Sequence, residues 1–301
     1  MEKLKESMSA FFPDKNTIKL LRIPFSLFLM PVFLLSVSQS NKPDFYSVVI
    51  SFLIIHLLIY PASNGYNSYI DKDESSIGGL EKPPMPTIKL FYTTIFLDVL
   101  ALVLSSVLIG FFFAACMLLY ILASRAYSSK QIRLKKYPVI GFLTVVFFQG
   151  AFTYYMAYCA ISSEVLTLTN ENIFILAACS FQIAGAYPLT QIYQHTDDFK
   201  NGDITLSYKL GYLGTFIFTA IMFVICNVFY FIYFKGINKT NHFLILQLFF
   251  VPTLAYFFWW FNKVRVNNLT ANFKNTMRMN LIASVSMSAC FIFFIILKYI
   301  L

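Results

Sequence analysis

Apolar residues run along this chain in long blocks, and the polar residues collect between them. Crossing about 30 Å of hydrocarbon as a helix takes roughly 20 residues. Nine blocks reach that length, over residues 18–38, 46–66, 88–106, 108–126, 139–161, 172–193, 212–234, 243–261 and 279–300. The pattern predicts an all-α, polytopic membrane protein with nine transmembrane helices. It forms one transmembrane domain over residues 1–301, opened by a cytoplasmic amino-terminal segment over 1–17. Only Ser105, Ser106 and Gly110 part the third block from the fourth. Together these two blocks are too long for one crossing, so a turn is expected there. The first block follows a segment rich in charge, lacks a small-residue cleavage site and contains Arg22 and Pro24, so it is not expected to be a cleaved signal peptide.

Composition agrees with a lipid solvent. Of 301 residues, 58% are hydrophobic and 12% charged, about half the charge density of a soluble domain. The net charge of +9 would suggest nucleic acid in a soluble chain, but here the cations sit between the apolar blocks, and no nucleic-acid partner is expected. The amino-terminal end and the even-numbered connections hold nineteen Lys and Arg, while Lys42, Lys235, Lys239 and Lys298 are the four on the other side. The positive-inside rule then puts the amino terminus in the cytoplasm, and a bacterial inner membrane is the expected location. The five cysteines lie within apolar blocks without C-x-x-C spacing, so neither a disulfide framework nor a zinc site is indicated.

Seven of the fourteen acids fall in two cytoplasmic segments. Asp71, Asp73, Glu74 and Glu81 follow the second helix, and Asp197, Asp198 and Asp203 follow the sixth. If these helices continue past the bilayer edge, Asn67, Asp71 and Glu74 form one stripe and Gln191, Gln194 and Asp198 another. Oxygen-rich stripes at one depth suit Mg2+, which is usually held by one or two carboxylates together with substrate phosphates. Lys72 within the first stripe, Lys82 after it, and Arg125, Lys130, Arg133, Lys135 and Lys136 in the fourth connection would suit a diphosphate. The plainer reading of the same residues is a set of solvated surface loops.

The residue order resembles the UbiA superfamily of intramembrane prenyltransferases, which have nine helices and aspartate-rich motifs after helices two and six. Asn67, Asp71, Lys72 and Asp73 match the first motif, with Ser75 where its last Asp is usual and Glu74 beside it. Leu21-Arg22-Ile-Pro24 resembles the first-helix signature, Gly79-Leu-Glu-Lys82-Pro83 the basic-Pro loop, and Tyr127 through Lys136 the Tyr and basic segment. In the second motif Gln191 and Gln194 stand where the family has Asp, and Asp198 is kept, followed by Gly202, Thr205 and Gly211. Glutamine offers a carbonyl oxygen without charge, which leaves open how many Mg2+ ions bind.

The resemblance implies an Mg2+-dependent prenyltransferase that moves an isoprenoid group from a prenyl diphosphate donor to an aromatic or other lipophilic acceptor, in quinone, lipid or pigment biosynthesis. Asp71, Asp198 and Asn67 are the implied catalytic residues. Asp71, Asp73, Glu74, Asp198, Gln194 and Gln191 are the implied metal ligands, and Lys72, Lys130, Arg133, Lys135, Tyr127 and Arg22 would hold the diphosphate. The active site would face the cytoplasm, with the lipid bilayer around it. Candidates for a substrate cavity are Asp98, an acid inside a spanning helix, together with Tyr154, Tyr158 and Tyr187, whose faces suit a cation, and His195. With 35 Phe and 19 Tyr in the chain, most aromatic stripes are packing or interfacial anchors. Two alternatives stand beside the transferase: a UbiA-type terpene cyclase without external acceptor, and a transporter or lipid-binding membrane protein.

Overall fold

The computed structural model describes residues 13–162, 164–200 and 202–300, so most of the expected segment 1–17 lies outside the described residues. Among the described residues, nine helical runs are long and apolar enough to cross a membrane: α1 Lys15–Gln39, α2 Phe45–Asp71, α3 Ile88–Ile109, α4 Phe111–Ser128, α5 Pro138–Ser162, α6 Asn170–Lys200, α7 Leu206–Gly236, α8 Thr240–Val266 and α9 Phe273–Ile300. Side chains such as Phe96, Val107, Phe111, Val224 and Leu248 stay exposed on these runs, as a lipid solvent permits.

Helix α1 begins three residues before the predicted block. Asp14 caps it by accepting the Thr17 N–H at 2.8 Å, a bond that favours the carboxylate and holds its pKa below the ordinary value. The run breaks at Arg22, which takes a left-handed φ of 51°. Pro24 then sits in the first turn of the next piece, where its missing N–H costs nothing. Other irregularities have similar local causes. Pro61 follows a widened π-helical turn over Ile54–Ile59 in α2, since a proline ring clashes with the carbonyl four residues back and removes a donor. The predicted turn between α3 and α4 falls on Gly110, whose φ of 143° closes a π-helical turn over Ser105–Ile109.

The packing divides into two compact units. One takes the chain up to Leu27 together with Tyr46–Leu134, and the other Phe28–Phe45 together with the chain from Lys135 onward. In the first, Leu20, Leu21, Ile77 and Leu90 form a buried cluster with Tyr69 and Leu97 against it. In the second, α6 packs along α7, and Leu189, Ile192, Phe216, Phe257, Trp260 and Met279 form the cluster beside the carboxyl end of α6. The Trp260 indole N–H is satisfied by the Thr270 carbonyl at 2.8 Å.

Close approach of α5 to α6 depends on Gly150, in the π-helical turn Phe147–Phe152. A Cβ there would lie 2.5 Å from Ser180 Cα and 2.8 Å from its amide nitrogen. These are backbone atoms that cannot swing aside. Gly150→Val is therefore expected to destabilise the protein by about 3 kcal/mol, read as a fall in melting temperature in detergent. An unchanged midpoint would contradict the packing.

Candidate functional site

In the first unit the polar residues gather at the carboxyl end of α2. Asn67 and Asp71 lie one turn apart, and Asn67 Nδ2 donates to Asp71 Oδ2 at 2.9 Å and to Ser128 Oγ of α4 at 3.1 Å. One turn earlier Ser63 Oγ meets Ser124 Oγ at 2.6 Å. Ser63 and Asn67 on one helix thus face Ser124 and Ser128 on the other, both pairs at spacing four. Sequence reasoning passed over Ser124 and Ser128; their four-residue spacing at the end of the helix was the available signal. The Asp71 side chain is 4% exposed, and its Oδ1 lies 3.6 Å from Arg133 Nη1.

The predicted stripe does not extend past Asp71. Lys72 turns left-handed with φ 53°, its N–H returning to the Ser68 carbonyl, and ends the helix. Asp73 and Glu74 therefore leave the helical face that Asn67 and Asp71 share, and Glu74 is exposed. Lys72 and Lys130 are exposed too, while Tyr127 is half-buried in the last turn of α4.

Two expected site residues are engaged by protein groups. The Arg22 side chain, in a residue 7% exposed, donates to the Asn64 carbonyl at 2.8 Å and to the Gly78 carbonyl at 3.2 Å. It ties the break in α1 to α2 and to the loop beyond it. Arg125 lies within α4 rather than in the connection. Its Nε donates to Asp98 Oδ2 at 3.0 Å, Nη2 pairs with the same oxygen, and Nη1 reaches Thr94 Oγ1 at 3.2 Å. Its guanidinium carbon stands 4.0 Å from the Tyr66 ring centroid. The acid inside α3 thus has its countercharge on the neighbouring helix.

In the second unit the stripe Gln191, Gln194, Asp198 survives by a different construction. The α-helical part of α6 ends at Gln191, a 3₁₀ turn covers Ile192–Gln194, and the helix resumes at His195. At three residues per turn, Gln191 and Gln194 sit one above the other. Gln191 Nε2 donates to the Tyr187 hydroxyl at 3.0 Å. Its Oε1 is buried and accepts no hydrogen bond among the described residues. His195 is buried; its Nε2 meets Ser207 Oγ at 2.8 Å and its ring stacks on Tyr212, so it fastens α6 to the start of α7. Of the candidate cavity tyrosines, Tyr187 adjoins the second motif, while Tyr154, 1% exposed, stacks on Tyr158 with centroids 6.1 Å apart.

The loop after α6 carries Asp203, the last of the three acids that follow the sixth block. Asp203 Oδ2 lies 3.0 Å from Lys135 Nζ, the two side chains being 4% and 12% exposed. Asp197 instead pairs with the exposed Lys200.

These residues fit Mg2+ in kind. Among the described residues no group of three or more His, Cys, Asp and Glu is assembled. Mg2+ does not require a complete protein cage, because phosphate oxygens complete its shell. The buried, unpartnered Gln191 Oε1 is a hard-oxygen ligand of the required type, and Asp71 is carboxylate oriented by Asn67.

Helices of spanning length, with carboxylates, amides and cations gathered at helix ends, define an integral multi-pass membrane protein with polar clusters at the ends of its helices. The sequence profile of the UbiA prenyltransferase family matches residues 27–282, and the chain belongs to that family. No curated protein is detectably similar in sequence. Solved structures share the fold at low identity. An apo UbiA homologue from Aeropyrum pernix K1 is 15% identical with a TM-score of 0.67, over 90% of this chain and 98% of that one. A UbiA homologue from Archaeoglobus fulgidus, bound to GPP and Mg2+, is 17% identical with a TM-score of 0.65, over 93% and 99%. A structure described as digeranylgeranylglyceryl phosphate synthase is 16% identical with a TM-score of 0.59, over 100% of both chains.

Proposed function

We propose that residues 1–301 act as one Mg2+-dependent intramembrane prenyltransferase, with an isoprenoid diphosphate as donor, a lipophilic acceptor, and the site on the cytoplasmic side. The observation that carries this reading is the Asn67–Asp71–Arg133 arrangement, in which one buried carboxylate is oriented by an amide and flanked by a guanidinium. Support for the donor class comes from the Archaeoglobus homologue solved with GPP and Mg2+.

The proposed metal ligands are Asp71, with Asn67 orienting it, Asp73 and Glu74 of the first motif, and Gln191, Gln194 and Asp198 of the second. Mg2+, when bound, neutralises charge as the diphosphate leaves. The chain's own part is orientation and charge. Asn67 holds the Asp71 carboxylate, Ser128 holds Asn67, and Arg133, Lys135, Lys130 and Lys72 present cations to phosphate oxygens. Departure of diphosphate leaves an allylic cation, whose quenching by water the apolar helices prevent; the acceptor's electron pair then forms the new bond to that carbon, and the alkylated acceptor releases a proton.

A terpene cyclase is the second reading, favoured by the two uncharged residues Gln191 and Gln194 in the second motif. Purified protein with Mg2+ and isoprenoid diphosphates of increasing length is expected to release diphosphate, and chelation of the metal to stop release. Release that requires an aromatic or other lipophilic acceptor identifies a transferase; hydrocarbon formed without acceptor identifies a cyclase. Absence of release with every donor would overturn both and leave transport or lipid binding.

A further inference from the structure

The turn after α6 places a charge where its geometry ordinarily places an apolar side chain. Gly202 has φ 73°. Its N–H bonds to the Phe199 carbonyl at 3.1 Å, and the Asp203 N–H bonds to the Asp198 carbonyl at 2.8 Å. These bonds, spanning three and five residues, are the pair that defines a Schellman ending. In it the last residue commonly makes a hydrophobic contact with the one five positions back. Here those two residues are Asp203 and Asp198. Asp203 is 3% exposed, although an acid is almost never that buried unless paired. The Thr205 hydroxyl points to Asp198 Oδ2 at 3.5 Å and accepts the Tyr208 N–H, so the next helix starts immediately. The turn leaves Asp203 little freedom to move.

What answers this charge is Lys135, in the short 3₁₀ turn Leu134–Lys136 that leads into α5. A lysine on a loop ordinarily points into water and samples many rotamers. This one is 12% exposed and held at 3.0 Å by a carboxylate fixed through its own backbone. Resting on the prenyl diphosphate reading above, we infer that Asp203 is a positioning residue: it holds the Lys135 ammonium beside the second motif, ready for a phosphate oxygen. The same carboxylate keeps a cation close to a motif in which two positions are glutamine.

Without Asp203 the ammonium loses the buried carboxylate that holds it at 3.0 Å, and burying a charge that has lost such a carboxylate is less favourable. The ammonium would swing to solvent, and the phosphate would have to order it again on binding. The readout is binding of inorganic diphosphate by the full-length protein in detergent at saturating Mg2+, measured by calorimetry. Asp203→Asn is expected to weaken binding by about tenfold or more, as the loss of an outer-shell partner does, and Asp203→Glu to restore most of it. Lys135→Met should lose as much, and adding Asp203→Asn to it should lose nothing further, because coupled residues are not additive. The inference is overturned if Asp203→Asn binds like the parent, or if its full loss persists in the Lys135→Met background, which would mark a purely structural turn. A parent protein that binds no diphosphate with Mg2+ would instead overturn the underlying reading, and this one with it.

Discussion

Alanine at Asp71 is expected to lower diphosphate release by about 100- to 1,000-fold, a loss of the size seen when a principal electrostatic group is removed from a reacting centre. Helix stability does not explain the residue. Asp71 is the last residue of α2, where the macrodipole is negative and an acid is unfavourable. Its Arg133 contact is 3.6 Å long with the guanidinium 21% exposed, so removing the carboxylate leaves a cation that can extend its head group to water. The variant should therefore melt close to the parent while losing activity. Asn67→Ala, which frees the carboxylate but leaves its charge, should lose about 10- to 100-fold. Steady-state release with Mg2+ and an isoprenoid diphosphate, run beside a melting curve, separates these outcomes. Activity retained in Asp71→Ala would remove Asp71 from the site.

The second large effect is on stability and arises within α3 and α4. Asp98→Ala leaves the Arg125 guanidinium without its carboxylate, keeping only Thr94 and the Tyr66 ring. Breaking one side of such a pair costs about 3–5 kcal/mol. Replacing both partners by apolar residues, as in Asp98→Leu with Arg125→Met, removes the two charges together and should regain most of that loss. The paired measurement also decides what Asp98 does. If it serves only to hold α3 to α4, the double variant keeps diphosphate release; if it acts on substrate, the double variant is folded and inactive. A single Asp98→Ala variant as stable as the parent would contradict the ion pair.

Much of the candidate site was legible before the structure because its signals are local. Asn67 and Asp71 are four apart on a helix whose apolar length announces it, and Gln191, Gln194 and Asp198 keep a common face even across a 3₁₀ turn. The end of a helix is a different matter. Nothing in Asp71-Lys-Asp73-Glu74 signals that Lys72 adopts φ 53°, because a lysine has no intrinsic preference for that region, and so Glu74 was expected on a stripe it does not share. Arg22, Arg125 and Lys135 all read as loop or helix-end cations suited to phosphate. Their partners, the carbonyls of Asn64 and Gly78, Asp98, and Asp203, are 27 to 68 positions away, beyond the reach of any local pattern.

By itself the sequence determined the solvent, the number of spanning helices, the turn at Gly110 and the kind of chemistry the polar clusters suit. Each of these depends on hydrophobic length or on spacing along a single helix. Only the tertiary structure decided which charges are satisfied within the protein, that Ser124 and Ser128 stand behind Ser63 and Asn67, and that Asp203 is buried against Lys135. In a chain so poor in charge, each ionic side chain is expensive to bury alone. Its role is set by the partner that packing brings to it.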